Sequence, residues 1–213
     1  MNFKRLLNRI KNEPEWAVLI GLLVLLVVAG GAFFYYRSQN RSQAARQDFR
    51  QANSVYLQAS QTGQYERAVR VLRRYINDYP SAVQTDKVHF FLGKSLFENG
   101  NYIEAIRQFK KLQKKFPDSL FAPSAQLHIG YANAQRGAPE KALDSYRRAI
   151  SEYSEDPIVQ EARWQQALVN LEMDRPDVAK RHLRELTKSS SNEESYWIDW
   201  AHRLRSRLAS ESG

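Results

Sequence analysis

The chain contains no cysteine. That excludes disulfide frameworks, thiolate metal sites and a cysteine nucleophile. It also lacks a phosphate loop of the G-x-x-x-x-G-K type and a G-x-S-x-G nucleophile turn. The histidines are His89, His128, His182 and His202, none in an H-x-x-x-H pair, so no helix face offers two imidazoles to one metal ion. Acidic residues are scattered and often stand one turn from a base, as Asp144 does with Arg147 and Arg148, the pattern of a solvated helix face. No nucleophile, base and orienting group stand together. The expectation is a protein that is not an enzyme, with no cofactor, no metal and no small-molecule substrate.

Acidic charge is also in short supply. Asp and Glu number 23 against 32 Lys and Arg, a net charge of +9 over 213 residues. The cations crowd segments such as Arg67, Arg70, Arg73, Arg74 and Arg107, Lys110, Lys111, Lys114, Lys115. Without a recognition motif among them, a solvated face is expected ahead of an acidic or headgroup partner, and nucleic acid is not expected. Aromatics make up 12%, which argues against a disordered chain.

Mean hydropathy is −0.60, yet residues 16–36, WAVLIGLLVLLVVAGGAFFYY, carry no charge at all. At about 1.5 Å per residue such a run spans roughly 31 Å, a bilayer's hydrocarbon thickness. Trp16 at one end and Phe33 to Tyr36 at the other suit the headgroup layers, and Pro14 suits a helix start. Apolar residues on every face exclude a core helix of a soluble domain. A cleaved leader is the rival, with Ala29, Gly31 and Ala32 as a small-residue site. The run continues past it, and Glu13 and Glu15 interrupt the basic segment, so an uncleaved anchor is expected. Residues 1–15 place Phe3, Leu6, Leu7 and Ile10 at i, i+3, i+4, i+7 among basic residues. They read as an amphipathic helix on the leaflet or as a plain basic flank, and both lie at a membrane surface. Flanking Lys and Arg are balanced, four on each side, so charge does not orient the span.

From residue 37 onward the chain repeats itself. Ala68, Ala105, Ala142 and Ala179 are 37 residues apart, each followed four later by a large side chain, Leu72, Phe109, Tyr146 or Leu183. Gly63, Gly100, Gly137 and Asp174 precede them by five, and Tyr65, Tyr102, Pro139 and Pro176 open the following segment. Each copy reads as two helices, A and B, joined by that turn. The alanine lets B approach A, and the large residue fills the space beside it. One pair cannot bury its apolar faces alone, and stacking several builds a continuous core. The expected fold is all-α: a transmembrane helix at 16–36, a polar helical stalk at 37–61 merging into the first repeat helix, four helix pairs over 49–191, and a capping helix and tail at 192–213. Trp197, Trp200, Ala201, Leu204 and Leu208 give that last helix its apolar stripe.

The pattern resembles tetratricopeptide repeats (TPRs), best in the second copy through Leu92-Gly93, Gly100, Tyr102, Ala105, Phe109 and Pro117. The usual period is 34, so each linker is three residues longer here. The linkers Tyr79-Pro80-Ser81 and Phe116-Pro117-Asp118-Ser119 resemble those of bacterial envelope proteins of the BamD and Tol-Pal-coordinator type. The resemblance implies an α-solenoid whose A helices line a groove. Carried over, its partner-binding positions are Phe90, Lys94, Phe97, Leu127, Tyr131, Trp164, Leu168 and Leu171, with Lys87 at the edge. That apolar strip either takes a helix or extended peptide or is covered by the stalk or the C-terminal helix. The layout of basic tail, span, stalk and repeats also resembles the YfgM family. It implies an inner-membrane, single-pass protein with its N-terminus in the cytoplasm and its repeats in the periplasm. Its implied partners are other membrane or periplasmic proteins, beside the Sec translocon and its chaperones. The alternatives are a structural subunit of a large envelope machine and a client-specific assembly factor.

Overall fold

A computed structural model of the chain describes residues 14–188 and 196–210. The expected features of residues 1–13 and 189–195 lie outside them. Among the described residues there are nine helices and no strand. They are α1 (Pro14–Thr62), α2 (Tyr65–Asp78), α3 (Thr85–Glu98), α4 (Tyr102–Lys115), α5 (Ala122–Gln135), α6 (Pro139–Glu152), α7 (Ile158–Glu172), α8 (Pro176–Lys188) and α9 (Tyr196–Ser210).

The chain divides into two compact units, Met1–Asp48 and Phe49–Gly213. The first contains the apolar part of α1. Its most apolar eighteen-residue window has a mean hydropathy of 2.6, and none of it is buried. By length and composition this helix can cross a membrane.

The second unit is a stack of helix pairs. The B helices α2, α4, α6 and α8 bury one stripe each, for example Ala105, Ile106, Phe109 and Leu112 on α4. Their Arg and Lys residues stay on the other side. The A helices α3, α5 and α7 are buried on more of their surface, because each packs against its own B helix, the preceding B helix and a neighbouring A helix. Among the described residues the backbones of the A helices α3, α5 and α7 approach one another in sequence, whereas those of the B helices do not, and α2 meets α4 through the Arg73–Glu104 ion pair at 2.5 Å. The stack therefore closes along its A side and opens along its B side.

The turn between A and B is set by backbone conformation. Gly63, Gly100 and Gly137 have φ between 71° and 75°, and Asp174 takes the equivalent place at φ 56°. Such a residue ends the A helix by turning the chain left-handed. The amide of Asn101 then bonds the Leu96 carbonyl at 2.8 Å, and Arg175 bonds Asn170 in the same way. Pro139 and Pro176 open α6 and α8, where a missing N–H costs nothing. The B helices α2, α4 and α6 stop at the aromatics Tyr79, Phe116 and Tyr153. Pro80 and Pro117 forbid continuation of the first two.

Ala68, Ala105, Ala142 and Ala179 are fully buried, as are Leu72, Phe109, Tyr146 and Leu183. Opposite the two rings stand Gly93 and Gly130. A Cβ on either would lie less than 3.0 Å from the Phe109 or Tyr146 ring. In the first and fourth pairs the same A position holds Tyr56 and Ala167, and the B position holds leucine. Volume moves from one helix to the other while the joint stays filled.

Candidate functional site

The A-helix face is built by residues recurring 37 apart on α3, α5 and α7. Phe90 is 9% exposed. Its ring stacks on Phe121 at 5.2 Å and meets His128 edge-on at 5.4 Å, so it joins the second pair to the third. Leu127, 2% exposed, lies in a core cluster with Leu143 and Tyr146. Trp164, 8% exposed, packs against Trp197 at 6.2 Å and Trp200 at 5.8 Å. Leu168 and Leu171 pack into that cluster beside Leu204 and Leu208.

The carried-over positions therefore do not form one continuous open strip. Phe90, Leu127 and Trp164 are core residues, because that register position is clamped between successive layers of the stack. α9 lies against α7 and α8 and occupies the fourth pair's share of the face. Lys94 and Phe97 on α3, Tyr131 on α5 and Leu168 and Leu171 on α7 are all half-buried, with Lys87 beside the first two.

These residues are held in place. Lys87 Nζ sits 5.8 Å from the Phe49 ring and 5.4 Å from the Phe91 ring, a cation–π arrangement. Phe91 stacks on Tyr56 at 4.1 Å. Sequence reasoning passed over Phe49, Tyr56 and Phe91. Only Phe91 carries a signal, as the ring next to Phe90. The Tyr131 hydroxyl donates to the Glu161 carboxylate, fastening α5 to α7. Burial first, and then the Glu161 charge, hold the Tyr131 hydroxyl protonated well above the usual phenol range.

His128 lies beneath this strip, within 6.4 Å of the Phe90, Phe97, Phe109 and Tyr131 rings. Burial pushes its imidazole down to about 4; the Nδ1–H bond to the Ser124 carbonyl opposes this and the Lys94 charge adds to it. His89, buried between α3 and α4, accepts from the Gln108 amide at Nδ1. Burial, helped by Lys115 and Lys111 and opposed by Asp86, also lowers it to about 4. Both rings are neutral at physiological pH and serve as packing groups. Among the described residues no three His, Asp or Glu side chains converge as a metal site.

The B side carries a second concavity. Because α4 and α6 do not touch, a groove of about 730 Å³ opens between them over α5. Lys110, Lys114, Arg136, Lys141 and Arg148 line it with Asp144 as the only acid. Asp144 already pairs with Arg147 and Arg148. Its floor is tied by amides: Gln113 donates to Gln126 at 3.0 Å, and Gln126 donates to the Ser145 carbonyl at 2.9 Å. These bonds satisfy buried polar groups that would otherwise cost stability.

Two tetratricopeptide repeat families match, over residues 90–157 and 41–82. No curated protein sequence matches the chain. Among solved structures, a tetratricopeptide repeat protein from Parabacteroides merdae superposes with a TM-score of 0.58 at 16% identity over 78% of this chain. The chain spans 61% of that structure's length. The nearly identical TPR-like repeats of a protein from Podosopora anserina give 0.62 at 14% identity, covering 79% of this chain and 88% of that one. MamA gives 0.52 at 20% identity, covering 72% and 87%. At such identities the likeness is one of fold. A repeat stack of this kind is typically a non-catalytic scaffold for protein–protein contact. With paired helices in a 37-residue register, glycine-set turns, buried alanine–ring joints and two matching repeat families, the chain belongs to the tetratricopeptide repeat proteins.

Proposed function

We propose that the chain is a membrane-anchored TPR adaptor that holds a protein partner on the A-helix face of its second and third repeats. The observation that carries this is the contrast along that face. α9 packs on the fourth repeat's helices alone, so no further helix among the described residues lies over the half-buried Lys94, Phe97 and Tyr131, with Lys87 on a fixed aromatic base. Aromatic side chains with two cations and a locked tyrosine suit an apolar segment bearing acidic residues, presented as a helix or extended peptide. The apolar part of α1 serves as the anchor, with the repeats on the extracytoplasmic side of a bacterial inner membrane. The layout supports a place beside the Sec translocon and its chaperones.

The test is a photo-crosslinking residue at position 131 in the full chain, expressed in cells. Crosslinks to translocon subunits or chaperones are expected, and Lys94→Glu with Phe97→Ala should reduce them at least tenfold. Circular dichroism should show that the variant keeps its helix content and stays folded at the temperature of the experiment, with a modest fall in melting temperature from the lost Phe97 packing. A single stoichiometric partner from another envelope machine would displace the translocon assignment. Undiminished crosslinking in the folded double variant would remove the face itself.

A further inference from the structure

We propose that the linker edge of the first two repeats is a docking surface for an anionic lipid bilayer. Val83 lies in the connection from α2 to α3 and Leu120 in the connection from α4 to α5, 37 residues later. They are 90% and 91% exposed, the most exposed large apolar residues described. Single exposed aliphatics are ordinary. Two at one register position on successive linkers put two apolar tips along the same edge of the stack. In the third linker that position is Pro157, preceded by Glu155 and Asp156.

The charge around the tips points to the occupant. The last two turns of α4 carry Lys110, Lys111, Lys114 and Lys115, all exposed and in no ion pair among the described residues; Lys110 and Lys114 also line the groove over α5, and Lys115 reaches the edge itself. Lys115 Nζ donates to the Pro80 carbonyl at 2.6 Å, which places its charge on the linker that bears Val83. It also lies 5.4 Å from the Phe116 ring. The acids facing this edge are Asp78, Asp86 and Asp118, and Asp86 already accepts from Ser119 Oγ at 2.7 Å. Aliphatic tips backed by unpaired lysines match an anionic interface, where the tips enter the acyl boundary and the ammonium groups meet the headgroups. The inference rests on the membrane-anchored reading only for the nearness of a bilayer.

The absence of native cysteine makes single labels unambiguous. Val83→Cys, Leu120→Cys and the control Ile103→Cys, 59% exposed at the other end of α4, would each carry an environment-sensitive fluorophore. The full chain would be reconstituted into phosphatidylcholine vesicles with and without phosphatidylglycerol. Labels at 83 and 120 should shift to the blue and be quenched by bilayer-borne spin labels roughly tenfold more than the label at 103, only with phosphatidylglycerol and less at high salt. Replacing the four lysines with Gln should abolish the difference while circular dichroism is unchanged. Equal aqueous accessibility of the three labels would overturn the proposal. So would shielding that ignores lipid charge and salt, or shielding that rises with protein concentration, which would assign the edge to a second copy. Alkaline extraction of the same vesicles reports the anchor separately: a chain that resists extraction while its labels stay exposed retains the anchor and loses this surface.

Discussion

The second and third repeats differ from the fourth in how they close and in what covers them. The middle pairs join glycine to a ring, Gly93 to Phe109 and Gly130 to Tyr146, and no capping helix among the described residues packs on them. The fourth joins Ala167 to Leu183, and its A face lies under the tryptophans of α9. A terminal repeat has no following A helix, so an apolar residue that would bind the next layer needs a cap. Phe90 finds that layer in Phe121 and His128, and Trp164 finds it in Trp197 and Trp200. The same register position is thus satisfied by a repeat in one place and by a capping helix in the other.

The contrast is most exposed to test at the cap. Trp164→Ala should cost about 4 kcal/mol, read by urea unfolding of the detergent-solubilised chain. Hydrogen exchange should rise first in α7 to α9. A loss of partner crosslinking with no change in stability would mean that Trp164 belongs to an open groove after all.

At the middle joints, Gly130→Val should cost about 3 kcal/mol, because the Tyr146 ring occupies the place of its Cβ. The pair Gly93→Ala with Phe109→Leu imitates the fourth repeat, and its cost should fall below the sum of the single changes by about 1 kcal/mol. Strict additivity in that double-mutant cycle would refute the idea that volume passes between the two helices.

Acid weighs most on the middle repeats, although burial also lowers His182 in the fourth. His89 and His128 belong to the second and third repeats, and both are lowered in the folded state to about 4. The unfolded chain binds their protons first, near its ordinary imidazole value of about 6.5. Stability is therefore full above that value and declines as the pH falls toward 4, by about 3 kcal/mol for each ring. Urea titrations across this range should show the decline, and a variant with both replaced by Gln should flatten it.

The smallest effect lies at the turns. Asp174 holds a left-handed conformation that glycine holds in the other three copies. Asp174→Gly should stabilise the fourth repeat by about 0.5 kcal/mol, measured as a rise in melting temperature.

Much of the fold was readable from spacing, because a helix pair that buries the same positions each time must repeat the same residue sizes. Alanines at 68, 105, 142 and 179 and their large partners mark where two helices meet, and this depends only on local periodicity. The site was less readable. Register names Phe90, Leu127 and Trp164 as members of one face, but their exposure depends on which neighbouring layer lands on them. Nor does spacing show that Phe49, Tyr56, Phe91 and Lys87 assemble, since α1 brings Phe49 and Tyr56 to α3 from more than thirty positions away.

The amino-acid order alone settled the all-α class, the two-helix repeat and the uncharged run at residues 16–36, because each is a property of residues near one another in the chain. Tertiary structure alone decided which face stays open. Burial is set by what packs against a side chain, and α9 on α7, α4 apart from α6, and Lys115 against Pro80 are contacts between segments that no local pattern links.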